Sequence, residues 1–276
     1  MKKVCFTLLP LILLLNACAA TTGAAPTTTS VPTQEPSPTS EGLLITPVES
    51  ALAPENPTAA PPDDIIASQS VTFETPDGAT ITGELYGSGE TAVIFSVMGN
   101  CKPGWSEFAQ LTAAQGVMAL TYPWRGCRES GLAEQDELQK FVDDARGAIN
   151  FVREQGAEKI ILAGASLGGL ASAKLAIESQ ASGLIVVASP PGIPEWGFEI
   201  EPADLNTDIP KLFITAENDP TVPASATREL HDLAADPKEW QTYPEDVHGT
   251  DLFETESGEA LQQQILDFIL RVAATE

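Results

Sequence analysis

From about Ser70 the chain falls into short segments of distinct hydrophobic pattern. "SVTFETPDG" and "ATITGELYG" alternate apolar and polar positions around Pro76-Asp77-Gly78, which predicts a β-hairpin. "TAVIFSV" is continuously apolar, as suits a strand buried on both faces. "VMALTYP", "KIILAG", "SGLIVVAS" and "KLFITAE" read the same way, and "KEWQTYP" reads as a short last strand. Between them lie helical patterns: "WSEFAQLTAAQG" stopped by Gly116, "LGGLASAKLAIES", "ASATRELHDLAA", and a closing "GEALQQQILDFILRVA" with Leu261, Ile265, Phe268 and Ile269 on one face. "EQDELQKFVDDARGAINFVREQG" predicts one long amphipathic helix, with Leu138, Phe141, Val142, Ala145, Ile149 and Val152 at helical spacing. A hairpin followed by alternating strands and helices predicts an α/β fold, with a mostly parallel twisted sheet and helices on both faces.

The first residues have a different character. "MKKVCFTLLPLILLLNACAA" places Lys2 and Lys3 before an apolar run from Val4 to Leu15. That run is shorter than the ~20 residues a spanning helix needs, so it predicts a secretory signal. Leu15-Asn16-Ala17-Cys18 resembles the lipobox of bacterial lipoproteins. The resemblance implies cleavage before Cys18 and acyl chains such as palmitate on that cysteine, holding the protein at a cell membrane outside the cytoplasm. The following segment is rich in Thr, Pro, Ser and Ala, which predicts a disordered tether. The expected organisation is therefore a signal over 1–17, a lipidated cysteine and tether over 18–67, and a folded domain over 68–276.

Charge and cysteine content narrow the partners. The chain has 14 basic and 39 acidic residues, a formal charge of −25, which argues against nucleic acid as a partner. Of four cysteines, Cys5 leaves with the signal and Cys18 carries lipid, so Cys101 and Cys127 remain. Outside the cytoplasm two cysteines suggest one disulfide; two free thiols are the alternative. With no CxxC pair and two histidines, a metal site is not expected.

"KIILAGASLGGLASAKLA" carries the chemistry. Ser166 stands between Gly164 and Gly168 at a predicted strand-to-helix junction, the placement a nucleophile elbow requires. A serine hydroxyl needs a base, and the base an orienting acid. His231 falls within a predicted helix, whereas His248 lies in the loop "YPEDVHGTDLF". Asp219 follows the strand "KLFITAE", with Glu217 and Asp246 as rivals for the acid.

On these residues the domain resembles the α/β-hydrolase superfamily, its small esterase and dienelactone-hydrolase-like members in particular. The order Ser166, Asp219, His248 is the superfamily's order. Asp219-Pro220-Thr221-Val222-Pro223 matches the D-x-x-V-P context of its acid. The resemblance implies an oxyanion hole from the backbone N–H groups of Leu167 and Asn100, with Met98 where His is usual before Gly99. "YPWRGCRESG" resembles the family's Arg-Gly-x-Gly-x-Ser turn at Arg125, Gly126 and Ser130, with Cys127 in a histidine's usual place. In the family the two cysteine-bearing loops follow neighbouring strands, so a Cys101–Cys127 bond would clamp them together beside the site. Residues 189–210 stand where larger relatives insert a lid, and their length implies a minimal cap. Trp196, Phe198 and Trp105 are candidate walls of the substrate pocket, with Trp124 beside them, while Lys102, Arg125 and Arg128 lie near its mouth. The implied activity is hydrolysis of a small-molecule ester or thioester through an acyl-enzyme, with no cofactor. An acyltransferase, a peptidase and a non-catalytic binding protein remain as alternatives.

Overall fold

The computed structural model describes residues 66–127 and 135–275, with side chains from 136 in the second stretch. The expected signal, Cys18 and almost all of the tether lie outside these residues, as do Arg128 and Ser130. Among the described residues, no helix is long and apolar enough to cross a membrane.

The alternating stretches form β1 (Ser68–Glu74) and β2 (Thr80–Tyr86), an antiparallel pair about the Pro76-Asp77-Gly78 turn. The apolar runs become β3 (Thr91–Ser96), β4 (Met118–Tyr122), β5 (Lys159–Ala165), β6 (Gly183–Val187) and β9 (Lys211–Ala216), almost wholly buried. The half-exposed β10 (Lys238–Tyr243) closes the edge. Together they make an eight-stranded sheet in the order β1-β2-β4-β3-β5-β6-β9-β10, parallel from β4 onward. β7 (Gly192–Ile193) and β8 (Phe198–Glu199) form a separate two-residue ladder within the segment that joins β6 to β9.

Helices α1 (Ser106–Ala114), α4 (Leu167–Leu175), α5 (Ala224–Leu233) and α6 (Gly258–Ala274) stand where the periodicity places them. Strand alternation shows that they cover both faces. A Cβ on Gly183 of β6 would lie 3.2 Å from Val272 of α6, whereas a Cβ on Gly169 of α4 would lie 3.0 Å from Val186. The long helix expected after β4 is instead two: α2 (Gln135–Leu138) and α3 (Phe141–Glu154). At the break, Lys140 N–H bonds Glu137 O in a tight turn, while Lys140 O accepts the N–H groups of Asp143 and Asp144. The break lets Leu138 reach toward Gly99 while Phe141 points into the core, two destinations that one straight helix face would not serve.

Arg125 fixes the hairpin to this framework. Its Nε bonds the fully buried Asp144 of α3 at 2.5 Å, and its backbone N–H bonds the same carboxylate at 2.8 Å. The guanidinium also meets Asp77 in the β1–β2 turn at 2.6 and 2.7 Å. Arg125 is therefore not a free cation at a pocket mouth: its charge is spent on two carboxylates, and its side chain is 9% exposed. Burial pushes the Asp144 carboxyl up, against the pull of Arg125; the guanidinium holds the Asp77 carboxyl far below the usual range. Arg125→Ala would leave Asp144 buried without its counter-charge. The expected loss of unfolding free energy is about 3–5 kcal/mol, measured by urea denaturation, with Asp144→Asn in the same background recovering part of it.

Candidate active site

The strand order turns back on itself at β3. From β3 the chain crosses to β4 on one side, and from β4 it returns to β5 on the other. The carboxyl ends of β3 and β5 therefore flank the topological switch point, where sheets of this kind bind ligands. Asn100 follows β3 and Ser166 follows β5.

Ser166 adopts φ 54° and ψ −117°, a conformation that costs a non-glycine residue about 1–3 kcal/mol. The turn is held from several sides. Ser166 N–H bonds Val187 O at 2.8 Å, and Ser166 O accepts from Gly169 N–H at 3.0 Å. Glycine is required around it by close approach: a Cβ on Gly164 would collide with the backbone of Gly168, and one on Gly168 with Ser96 O. Sequence reasoning missed Ser189. Its fully buried hydroxyl donates to Ser166 O at 2.8 Å and sits against Gly169. A serine just past a strand carries no signal of that contact.

His248 and Asp219 meet. His248 Nδ1 lies 2.8 and 3.0 Å from the two Asp219 oxygens. Asp219 Oδ1 also accepts the backbone N–H groups of Thr221 at 2.8 Å and Val222 at 2.9 Å, which explains the turn that precedes α5. The Asp219 side chain is fully buried and that of His248 is 13% exposed. Glu217 and Asp246 both point to solvent, so neither is the partner. His231 belongs to α5, packed edge-on against Phe213 and Trp240 and bonded to Asp232.

The loop bearing His248 is docked on the segment after β3. Gly249, at φ 59°, has no room for a side chain because Met98 Sδ and Cγ fill that space; a Cβ there would also stand 3.5 Å from Ala165, the residue before Ser166. Met98, in place of the usual histidine, is thus the packing that supports the histidine loop. Lys102 Nζ bonds Asp251 at 3.1 Å, and Gly104 lies directly under Thr250. Among the described residues no hydrogen bond joins Ser166 Oγ to His248; in resting enzymes such contacts are often long and tighten with substrate.

Gly99 lies against Leu167: a Cβ there would be 3.6 Å from the leucine side chain. The N–H groups of Asn100 and Leu167 therefore belong to adjoining turns, and among the described residues neither has an intramolecular acceptor. Asn100 Oδ1 accepts Lys102 N–H at 3.1 Å, which closes its own turn. Cys101 and Cys127 form a disulfide with Cα atoms 5.8 Å apart. Cys101 also sits at φ 62°, one residue after Asn100.

Two candidate pocket walls need correction. Trp105 has no exposed surface: its Nε1 donates to Ser96 O at 3.1 Å, and its ring stacks on Phe95 and meets Phe253 edge-on. Trp124 is buried against Tyr122 and Phe141. Both support the loops from below, because at their positions an indole is better covered by neighbouring rings than left facing water. Trp196 and Phe198 are half-buried beside Phe141 and keep an open side.

Comparison with known proteins agrees with this fold. A family model described as serine aminopeptidase, S33, matches residues 93–198, from β3 through the Ser166 turn to Phe198. No curated protein sequence matches the chain. Among solved structures, an esterase domain from Rhodothermus marinus is 19% identical with a TM-score of 0.56, covering 73% of this chain and 99% of its own. An esterase from Pyrococcus furiosus is 14% identical with a TM-score of 0.61, covering 75% and 93%. A serine hydrolase without a lid from Xanthomonas campestris is 17% identical with a TM-score of 0.58, covering 76% and 97%. The chain has the α/β-hydrolase fold, with eight strands in that fold's order and helices on both faces.

The disulfide closes a loop with a sequence separation of 26, so its loss should cost about 3.5 kcal/mol on the chain-entropy model. Cys127→Ser should lower the denaturation midpoint accordingly, and dithiothreitol should lower it in the wild type and not in the variant.

Proposed function

We propose that the protein is a serine hydrolase that cleaves a carboxylic ester or thioester through an acyl-enzyme. The observation that carries this reading is the His248–Asp219 pair, docked beside the positive-φ turn of Ser166. With Nδ1–H donated to the buried carboxylate, His248 presents Nε2 as the base. It takes the Ser166 proton as Oγ attacks the carbonyl carbon. The oxyanion receives the free N–H groups of Asn100 and Leu167. The imidazolium, stabilised by Asp219, then returns the proton to the departing alcohol or thiol. Water attacks the acyl-enzyme with the same base, regenerating Ser166 and releasing the acid.

The esterase neighbours support an ester substrate, at an identity that establishes the fold alone. The description of the matched family model favours a second reading, an amide or peptide substrate on the same machinery. We also propose a lipid anchor on Cys18 and a position outside the cytoplasm. The N-terminal pattern supports the anchor, and the disulfide is consistent with an oxidising compartment.

The first experiment offers p-nitrophenyl esters of increasing acyl length and an aminoacyl p-nitroanilide to the full-length protein. Ester turnover is expected, and Ser166→Ala should lower kcat by at least about a thousandfold. Unchanged turnover in that variant would overturn Ser166 as nucleophile, while faster cleavage of the anilide would favour the peptidase reading. Separately, metabolic labelling with a fatty acid should mark the full-length protein and not Cys18→Ala.

A further inference from the structure

Gly164, Gly168 and Gly169 stand around Ser166, and the turn itself accounts for the first two. Gly169 answers to a different neighbour: a Cβ there would collide with Oγ of Ser189. Ser189 lies just past β6 and is fully buried. Its backbone is held on both sides. Ala188 N–H bonds Ile214 O at 2.8 Å, and Pro190 disfavours helical backbone in the residue before it. The Ser189 hydroxyl has one proton and two carbonyls within reach, Ser166 O at 2.8 Å and Val187 O at 3.2 Å. Val187 O already accepts Ser166 N–H at 2.8 Å, and Ser166 O is the nearer acceptor, so the proton goes to Ser166 O.

Ser166 O belongs to the same peptide group as the N–H of Leu167. That peptide is trans and planar, so its C=O and N–H point in opposite directions and fixing one fixes the other. The oxygen points into α4, where it accepts from Gly169 N–H at 3.0 Å and Leu170 N–H at 3.2 Å. The Leu167 N–H therefore points out of the helix start, and among the described residues it has no intramolecular acceptor. Helix bonds alone tie this first peptide only to its own helix, whose ends fray. Ser189 donates from a different element and at the shortest of the three distances, which ties the peptide to the sheet. A donor at the oxygen also polarises the peptide and strengthens its N–H as a donor in turn.

We propose that Ser189 is a positioning residue for the oxyanion hole: its hydroxyl aims and polarises the Leu167 N–H by holding the carbonyl of the same peptide, and Gly169 is the glycine that admits it. The inference rests on Ser166 being the nucleophile. The test compares p-nitrophenyl acetate with its thiono analogue, in which sulfur replaces the carbonyl oxygen, on the full-length protein. Sulfur is a weak hydrogen-bond acceptor, so the thiono ester draws little on an oxyanion donor. Ser189→Ala should lower kcat/KM on the acetate about tenfold, a part of the roughly hundredfold or more lost when such a donor is removed outright, and on the thiono ester by about twofold or less. Ser189→Thr, which keeps the hydroxyl, should retain most of the wild-type acetate-to-thiono ratio. That ratio is read within one preparation, so it does not depend on the fraction that folds. A loss on the thiono ester as large as on the acetate would overturn the positioning role, since it marks a merely structural residue; no loss on either ester would overturn it too. Both outcomes leave the hydrolase standing. Turnover unaffected by Ser166→Ala, or none in the wild type, would overturn the nucleophile and this inference with it.

Discussion

The structure around the candidate site depends on the close approach of backbone at the end of β5. Ser166 can be lifted off the sheet only if the chain turns back at once, and that turn leaves no space for side chains at Gly164 or Gly168. The strained φ of Ser166 is offset by bonds that a relaxed turn would not make: its N–H to Val187 O, and its O from Gly169 N–H and the Ser189 hydroxyl. Ala188, one strand over, also has a positive φ, 49°, and precedes the Ser189 that makes this bond. The result is a hydroxyl at the start of α4, beside the positive end of the helix dipole and next to the Leu167 N–H, which has no intramolecular acceptor among the described residues.

The other parts of the site hang on loops, and loops need ties. The segment after β3 is bound on both sides. The Cys101–Cys127 bond fastens it to the turn after β4, and Lys102–Asp251, Gly104–Thr250 and Met98–Gly249 fasten it to the histidine loop. These contacts differ in strength. The Lys102–Asp251 pair is about half exposed, so water and salt screen it, and it contributes little by itself. The covalent bond and the buried packing of Trp105 and Phe253 carry most of the constraint. Together they hold Asn100 and His248 near Ser166, although the three come from distant parts of the chain.

Much of this was legible in the sequence because the signals are local. Buried parallel strands read as apolar runs, and Ser166 is marked by the glycines its turn requires. Asp219 is marked by the Val222-Pro223 that starts the next helix, and His248 by its loop position. Other residues were misread or missed because what decides them lies far away in sequence. Arg125 looks like a free cation until Asp77 and Asp144 come to it from 48 and 19 positions away. Trp105 looks like a pocket wall until Phe253 covers it. The break between α2 and α3 does not interrupt the apolar periodicity, because Leu138 and Phe141 keep helical spacing while packing on different partners.

By itself, then, the sequence determined the order of strands and helices, the strand-to-helix turn at Ser166, and which serine, acid and histidine were available. Those follow from side-chain pattern and from backbone sterics within a few residues. Tertiary structure brought Asp219, already marked in the sequence, to His248, and it alone decided that Ser189 braces the Ser166 turn. It alone also left Trp196 and Phe198 with an open side while burying Trp105 and Trp124. The physical reason is common to all of these. Burial and hydrogen bonding are settled by whichever surfaces meet across the sheet's carboxyl edge, and no local pattern in the chain encodes that meeting.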